Sequence, residues 1–412
     1  MRFAGIILLW IAGSALATAS AQFDTPVYHY EGQLTVDTEA GEVGAEWRIG
    51  LLGEAPDSVT FLLAPTFGNI AVGGDSTGFQ LAQQGPFQAV VIALAGDARE
   101  ITLSYDGGLP MDMLTNDINA VSPERVELTI DSFWLPVEAS FRGFLTADLR
   151  VDVGAPWPAV ANGQVTQLPT GARIVNREPS LDIAFTMAPD FRIRAEEGYT
   201  LYDLRETDAG LTELNAAAAF CFDYLNGLYG AEDPLPQAHL VIHERAGSAY
   251  NRRSYITLTD ISETEAGPMT QFVCHELSHH WSFGADFMTV ENWLNESFAE
   301  YAGNMALRER FGEDAFLARM QRYLGQVQGR DLPPVWVEGA TERGPDLVSY
   351  RAGPVALWHL ETYLGRPAFA AFMTRYMVEG IDTTPDLLDT LETLEGREAR
   401  DWFAAELART DR

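Results

Sequence analysis

In His275-Glu276-Leu277-Ser278-His279, two imidazoles stand four positions apart and a carboxylate follows the first. On a helix, at about 100° per residue, four steps return the second ring to within roughly 40° of the first. Both rings then reach one divalent ion, and Glu276 sits where it can point at a water on that ion. The chemistry on offer is general-base activation of that water. An ordinary helix with two surface histidines shows the same spacing, so a third donor is needed. Trp293-Leu294-Asn295-Glu296-Ser297-Phe298-Ala299-Glu300-Tyr301 offers one. Sixteen residues separate His279 from Glu296, enough to finish one helix, cross a loop and begin a second packed against it. Glu296 is the expected third ligand, with the fourth tetrahedral position of one Zn2+ left to water. Its plainer role is a helix-start carboxylate favoured by the dipole. Glu300, one turn on, either fixes the tautomer of a ligand histidine or is a solvated charge. Zinc follows from the N/N/O donor types, which other divalent ions suit less commonly.

These side chains need a scaffold, and the chain supplies it in two halves with different periods. In the first, Ala45, Trp47, Ile49 and Leu51 alternate with polar or small residues. So do Leu145, Ala147, Leu149, Val151 and Val153, and later Leu181, Ile183, Phe185 and Met187. Period two between Gly- and Pro-bearing turns predicts half-buried strands in an antiparallel β-sandwich or saddle over residues 22–194. From about residue 195 the pattern becomes mixed α/β and then helical. Leu211 to Leu228 is Ala-rich and stops near Gly227 and Gly230. His239 to His243 and Tyr255 to Leu258 read as strands. Phe369, Phe372, Met373 and Tyr376 form a helical core stripe. The fold class is α+β and multidomain, with all the suspected chemistry in residues 195–412.

Arg2, the apolar run Ile6 to Ala12 and Ala19-Ser20-Ala21 describe a secretory signal over residues 1–21. The expectation is an exported protein, periplasmic or extracellular, with no membrane span after cleavage. Net charge is −32, from 59 acidic and 27 basic residues, which argues against nucleic acid as a partner. Two cysteines, Cys221 and Cys274, do not make a disulfide scaffold. Cys274 is expected in the core, not as a ligand, and the sequence leaves open whether the two pair. His239 and His243 suit a cleft wall or the core. No P-loop, G-x-S-x-G or paired C-x-x-C competes.

The run from His275 to Tyr301 resembles the gluzincin metallopeptidases of the aminopeptidase-N-like family, whose pattern is H-E-L-x-H-x-W followed by W-L-N-E-x-F-A. The loop between the two elements is slightly shorter here. Ser349-Tyr350-Arg351-Ala352-Gly353-Pro354 resembles the family's Y-x-K-G element, with Ala352 in place of its Lys. Thr383 to Phe403 and, upstream, Trp157 to Gly163 are similar to further family segments. The resemblance implies a thermolysin-like catalytic domain that cleaves peptides or proteins. His275, His279 and Glu296 would be zinc ligands, Glu276 the general base and Tyr350 the oxyanion donor. One departure concerns specificity. The family's G-A-M-E-N carries a Glu that binds the substrate's α-amine, and the matching residues are Gly247-Ser248-Ala249-Tyr250-Asn251. Arg252 and Arg253 follow as expected solvated charges. A counterpart of the family's C-terminal helical domain is also not expected. Exo- versus endopeptidase action therefore stays open. So do a catalytically inactive zinc-bearing scaffold, a non-peptide substrate and the oligomeric state.

Overall fold

The computed structural model describes residues 27–109, 118–245 and 249–411. The expected signal and residues 247 and 248 lie outside them. From Tyr28 to Met187 the described chain forms three sheets. In the strand Glu42–Leu51, Val43, Ala45, Trp47, Ile49 and Leu51 are buried while Glu46 and Arg48 are exposed, as a one-sided sheet requires. The inward residues of the seven-stranded sheet meet those of a four-stranded one in a core that includes Tyr30, Trp47, Phe61 and Trp134.

The sandwich contains one parallel pair among its antiparallel ones. Tyr28–Asp37 runs alongside Leu145–Asp152, from Tyr28 opposite Leu145 to Thr35 opposite Asp152. Such a pair needs a long crossover, and the residues between them supply it by building the second sheet. Leu181 to Met187 departs from expectation. Only Phe185–Met187 is strand, and it is buried on both faces. Flanking strands Val126–Leu128 and Ala159–Ala161 pair with it, and Thr186 Oγ1 lies 2.6 Å from the Tyr255 hydroxyl of the second half.

The second half is built on a five-stranded sheet in the order Arg192–Ala195, Tyr199–Asp203, Ala238–Ile242, Tyr255–Leu258, Tyr250–Arg252. Its three central strands are parallel. Eight α-helices follow or intervene among the described residues: α1 (Leu211–Tyr229), α2 (Ala266–Ser278), α3 (Asn292–Phe311), α4 (Glu313–Val327), α5 (Gly353–Leu364), α6 (Arg366–Glu379), α7 (Thr384–Glu395) and α8 (Arg397–Leu407). Leu240, Ile242, Ile256 and Leu258 face the helices and share a core with Leu214, Phe272 and Val273. Val241 and Tyr255 face the other way, against Val160 and Ala184 of the first half. Cys221 and Cys274 form a disulfide that ties α1 to α2 one residue before His275. Phe369, Phe372, Met373 and Tyr376 are buried, and Phe298 of α3 stacks on Tyr376 with ring centroids 3.7 Å apart. The α2–α3 pair is thus clamped between the sheet and the last four helices.

Candidate metal centre

The motif helix α2 ends at Ser278, yet His279 keeps a helical backbone (φ −61°, ψ −11°), so the four-residue geometry survives. The Nε2 atoms of His275 and His279 lie 3.2 Å apart. The outer nitrogens are already committed. His275 Nδ1 is 2.9 Å from Glu300 Oε2, and His279 Nδ1 is 2.9 Å from the Ser282 carbonyl, which can only accept. With both Nδ1 atoms so engaged, the two Nε2 atoms face each other as the available metal donors. Such a contact requires either a shared proton, as in the metal-free protein, or a metal ion between the two nitrogens. Glu296 Oε2 adds a third donor, 3.8 Å from His275 Nε2 and 3.6 Å from His279 Nε2, with no hydrogen-bond partner. Tetrahedral donors at about 2.05 Å from zinc would stand about 3.3 Å apart, so the trio fits the ion with small adjustment.

Glu276 is a second carboxylate nearby, within 4.8 Å of both imidazoles. Glu296 is the expected ligand, and its Oε2 lies within 3.8 Å of both Nε2 atoms. The backbone carbonyl of Glu276 accepts from Asn251 Nδ2 at 2.7 Å, which fixes the motif helix to the edge strand Tyr250–Arg252. Burial raises the Glu276 carboxyl above its ordinary range, a direction that favours a proton acceptor at neutral pH.

Two features of α3 bring its side chains to α2. Asn295 accepts from the Ala285 backbone N–H at 3.0 Å and donates to the Ala285 carbonyl at 2.9 Å, while Ser282 Oγ donates to the Asn295 carbonyl at 2.8 Å. These bonds staple the inter-helix loop to the head of α3. Glu296, Glu300 and Gly303 then fall at i, i+4 and i+7 on one face. A Cβ at Gly303 would lie 2.5 Å from the Gln271 carbonyl, so only glycine lets α3 approach this closely.

Glu300 is buried beside His275, with Arg351 Nη1 at 3.3 Å, Arg319 Nη2 at 3.7 Å and the Tyr323 hydroxyl donating to it. Burial opposes its charge, but the His275 hydrogen bond and charge, then Arg319 and Arg351, hold it down at about 2. Burial likewise opposes protonation of His275. The Glu300 hydrogen bond and the charges of Glu276, Glu300 and Glu296 outweigh it and raise the metal-free imidazole to about 9. That raised basicity suits a strong metal donor.

Tyr350 lies in a π-turn, Val348–Ala352, with its ring 6.0 Å from that of His275 and 22° from parallel. Burial, then the charge and hydrogen bond of Glu296, push its hydroxyl well above the ordinary range, so it remains a donor. The structure thus brings His275, Glu276, His279, Glu296 and Tyr350 to one place. Arg319, Tyr323, Arg351 and Ser282 had no signal in the sequence, because each is distant along the chain or ordinary in type.

The remaining candidates lie elsewhere. His280 turns away to Asp233 at 3.1 Å. His239 packs edge-on to the Tyr202 ring. His243 is buried 3.5 Å from Glu127, and burial followed by the charges of Arg245 and Arg125 keeps it neutral. Tyr250 donates to the buried Glu127, which Arg245 also holds at 3.1 Å. Arg252 is not a solvated charge. It pairs with Asp182 at 2.7 Å and lies over the Tyr250 ring.

Fold and donor set together form a candidate metal centre, with two histidines from one helix and a glutamate from the next. Residues 243–404 match the model of the Peptidase family M1 domain. Aminopeptidase M1-C of Oryza sativa subsp. japonica is 27% identical over 219 residues, 47% of this chain and 24% of that protein. Aminopeptidase N of Streptomyces lividans is 27% identical over 189 residues, 42% and 22% respectively. The chain therefore spans about a quarter of the length of the curated relatives it matches. A mutant M1 zinc metallopeptidase from Deinococcus radiodurans superimposes with a TM-score of 0.68 at 18% identity, covering 96% of this chain and 97% of that one. Leukotriene A4 hydrolase from Saccharomyces cerevisiae also gives 0.68 at 18%, covering 92% and 67%. At such identities the likeness establishes the fold.

Proposed function

We propose that the protein is a zinc-dependent metallopeptidase, aminopeptidase-like in descent, that hydrolyses peptide bonds. The observation that carries this is the trio His275, His279 and Glu296, whose donor atoms converge at 3.2, 3.6 and 3.8 Å. Zinc held there supplies a water of lowered pKa and a Lewis acid for the scissile carbonyl. Glu276 takes the proton of the attacking water and passes it to the leaving amine. Tyr350 donates its hydroxyl to the oxygen that gains negative charge. Glu300 holds His275 in the tautomer whose Nε2 is free.

Glu276→Gln tests the reading. The variant is expected to bind one zinc as the wild type does and to lose turnover of a peptide library by about 10²–10⁴-fold. Full activity in that variant would rule out Glu276 as the base. A zinc-loaded wild type that cleaves no peptide would favour the scaffold alternative.

Residues 22–194 are read as a β-rich domain and 195–412 as the catalytic one, supported by their separate cores. Export is part of the proposal, supported by the residue 1–21 pattern and by a disulfide that an oxidising compartment favours. No helix among the described residues is long and apolar enough to cross a membrane.

A further inference from the structure

The π-turn that carries Tyr350 leaves two backbone carbonyls without their helical donors; α3 fills one place, and an arginine of the turn itself fills the other. In a regular helix the Gly353 N–H would bond to the Ser349 carbonyl. Here it bonds to the Val348 carbonyl, one residue further back, which releases the oxygen of Ser349. Ser297 Oγ donates to that oxygen at 2.6 Å, buried from solvent. The Tyr350 carbonyl would take its bond from residue 354, but Pro354 has no N–H. Arg351 Nη1 donates to it instead at 2.6 Å, and the same nitrogen is 3.3 Å from Glu300. A Cβ at Gly353 would fall 1.9 Å from Ser297 Oγ, so the turn is pressed against this hydroxyl.

We infer that Ser297 is a positioning residue for catalysis. Its hydroxyl replaces the missing helical donor, stabilises the π-turn and so sets where the Tyr350 hydroxyl points. The residue follows the ligand Glu296 directly, so one helix turn places both the ion and the oxyanion donor. The Glu300–Arg351 contact holds the other side of the turn. This inference rests on the peptidase reading, because it presumes that Tyr350 acts in turnover.

The test is a double-mutant cycle on the zinc-loaded full chain, with kcat and KM measured on a peptide substrate. Ser297→Ala is expected to lower kcat about tenfold, since small misplacements of a catalytic group are costly. KM and zinc stoichiometry should stay within about twofold, as for an interaction made only in the transition state. In a Tyr350→Phe background the same change should cost less than about twofold, because the group being positioned is gone. Ser297→Cys nearly keeps the volume but donates poorly, and it should fall with the alanine variant. It also keeps the test valid if alanine fails to fold. Wild-type kcat in a folded Ser297→Cys or Ser297→Ala protein would overturn the inference, as would effects that multiply in the double mutant. Unchanged kcat in Tyr350→Phe alone would sink the oxyanion role as well.

Discussion

Glu300→Gln isolates what one buried negative charge does for the metal. The carboxylate is 2.9 Å from His275 Nδ1 and makes that histidine a more basic donor. Gln can still accept the hydrogen bond, so the ring keeps its tautomer, but the charge assistance is lost. Partners of this kind are worth 10- to 100-fold in metal affinity, and we expect about 30-fold, or about 2 kcal/mol. By mass action, the zinc-loaded protein should lose about the same amount of unfolding free energy. Competition against a chromophoric chelator measures the first quantity and chemical denaturation with and without zinc the second. An affinity within threefold of wild type would refute the reasoning. The metal-free protein gives an independent check. Glu300 is held at about 2 against an ordinary 4.5, so its folded-state pKa is depressed. Its contribution is therefore complete above pH 4.5 and disappears as pH falls through that value toward 2. The Gln variant should lack this part of the acid-induced loss.

Two other outcomes follow from the site's surroundings. The disulfide spans a sequence separation of 53, and loop-closure entropy assigns such a link about 4 kcal/mol. Replacing Cys221 and Cys274 together by Ala should lower the denaturation midpoint accordingly, and an unchanged midpoint would contradict the link. The Tyr250 hydroxyl is engaged by Glu127, whose charge Arg245 and Arg125 offset, so this strand presents no free carboxylate to an α-amine. Acetylated and free peptides should then be cleaved at rates within about tenfold. A preference above 100-fold for the free amine, measured as kcat/KM, would count against that account.

The features legible in the sequence were those with a local geometric rule. Two histidines four apart needed only helical period, and Glu296 needed only a second helix at short range. Alternation exposed Glu42–Leu51 and Leu145–Asp152 because one face of that sheet meets solvent. It misread Leu181 to Met187 because that segment lies between the two halves and is covered on both sides. The disulfide was not legible, since residues 221 and 274 come together only when α1 packs on α2. The π-turn was hidden for a related reason. Its stability comes from Ser297 and Glu300, about fifty residues away, and no local propensity reports on them.

The same non-local logic gives the β-rich half a part in the site. Asn251 anchors the carbonyl of Glu276, so the position of this proposed general base depends on the strand Tyr250–Arg252. That strand is the edge of its sheet and is only three residues long. Alone it would be weakly held, because short edge strands lack a second neighbour. On either side of Asn251, Tyr250 reaches Glu127 and Arg252 reaches Asp182, both in the first half and both buried. Burial raises the carboxyls of Glu127 and Asp182, and the arginines at 3.1 and 2.7 Å pull in the opposite direction. Breaking either buried pair would strand a charge, at a cost of about 3–5 kcal/mol. The edge strand is therefore pinned from the β-rich side, and through Asn251 that restraint reaches Glu276, the proposed general base.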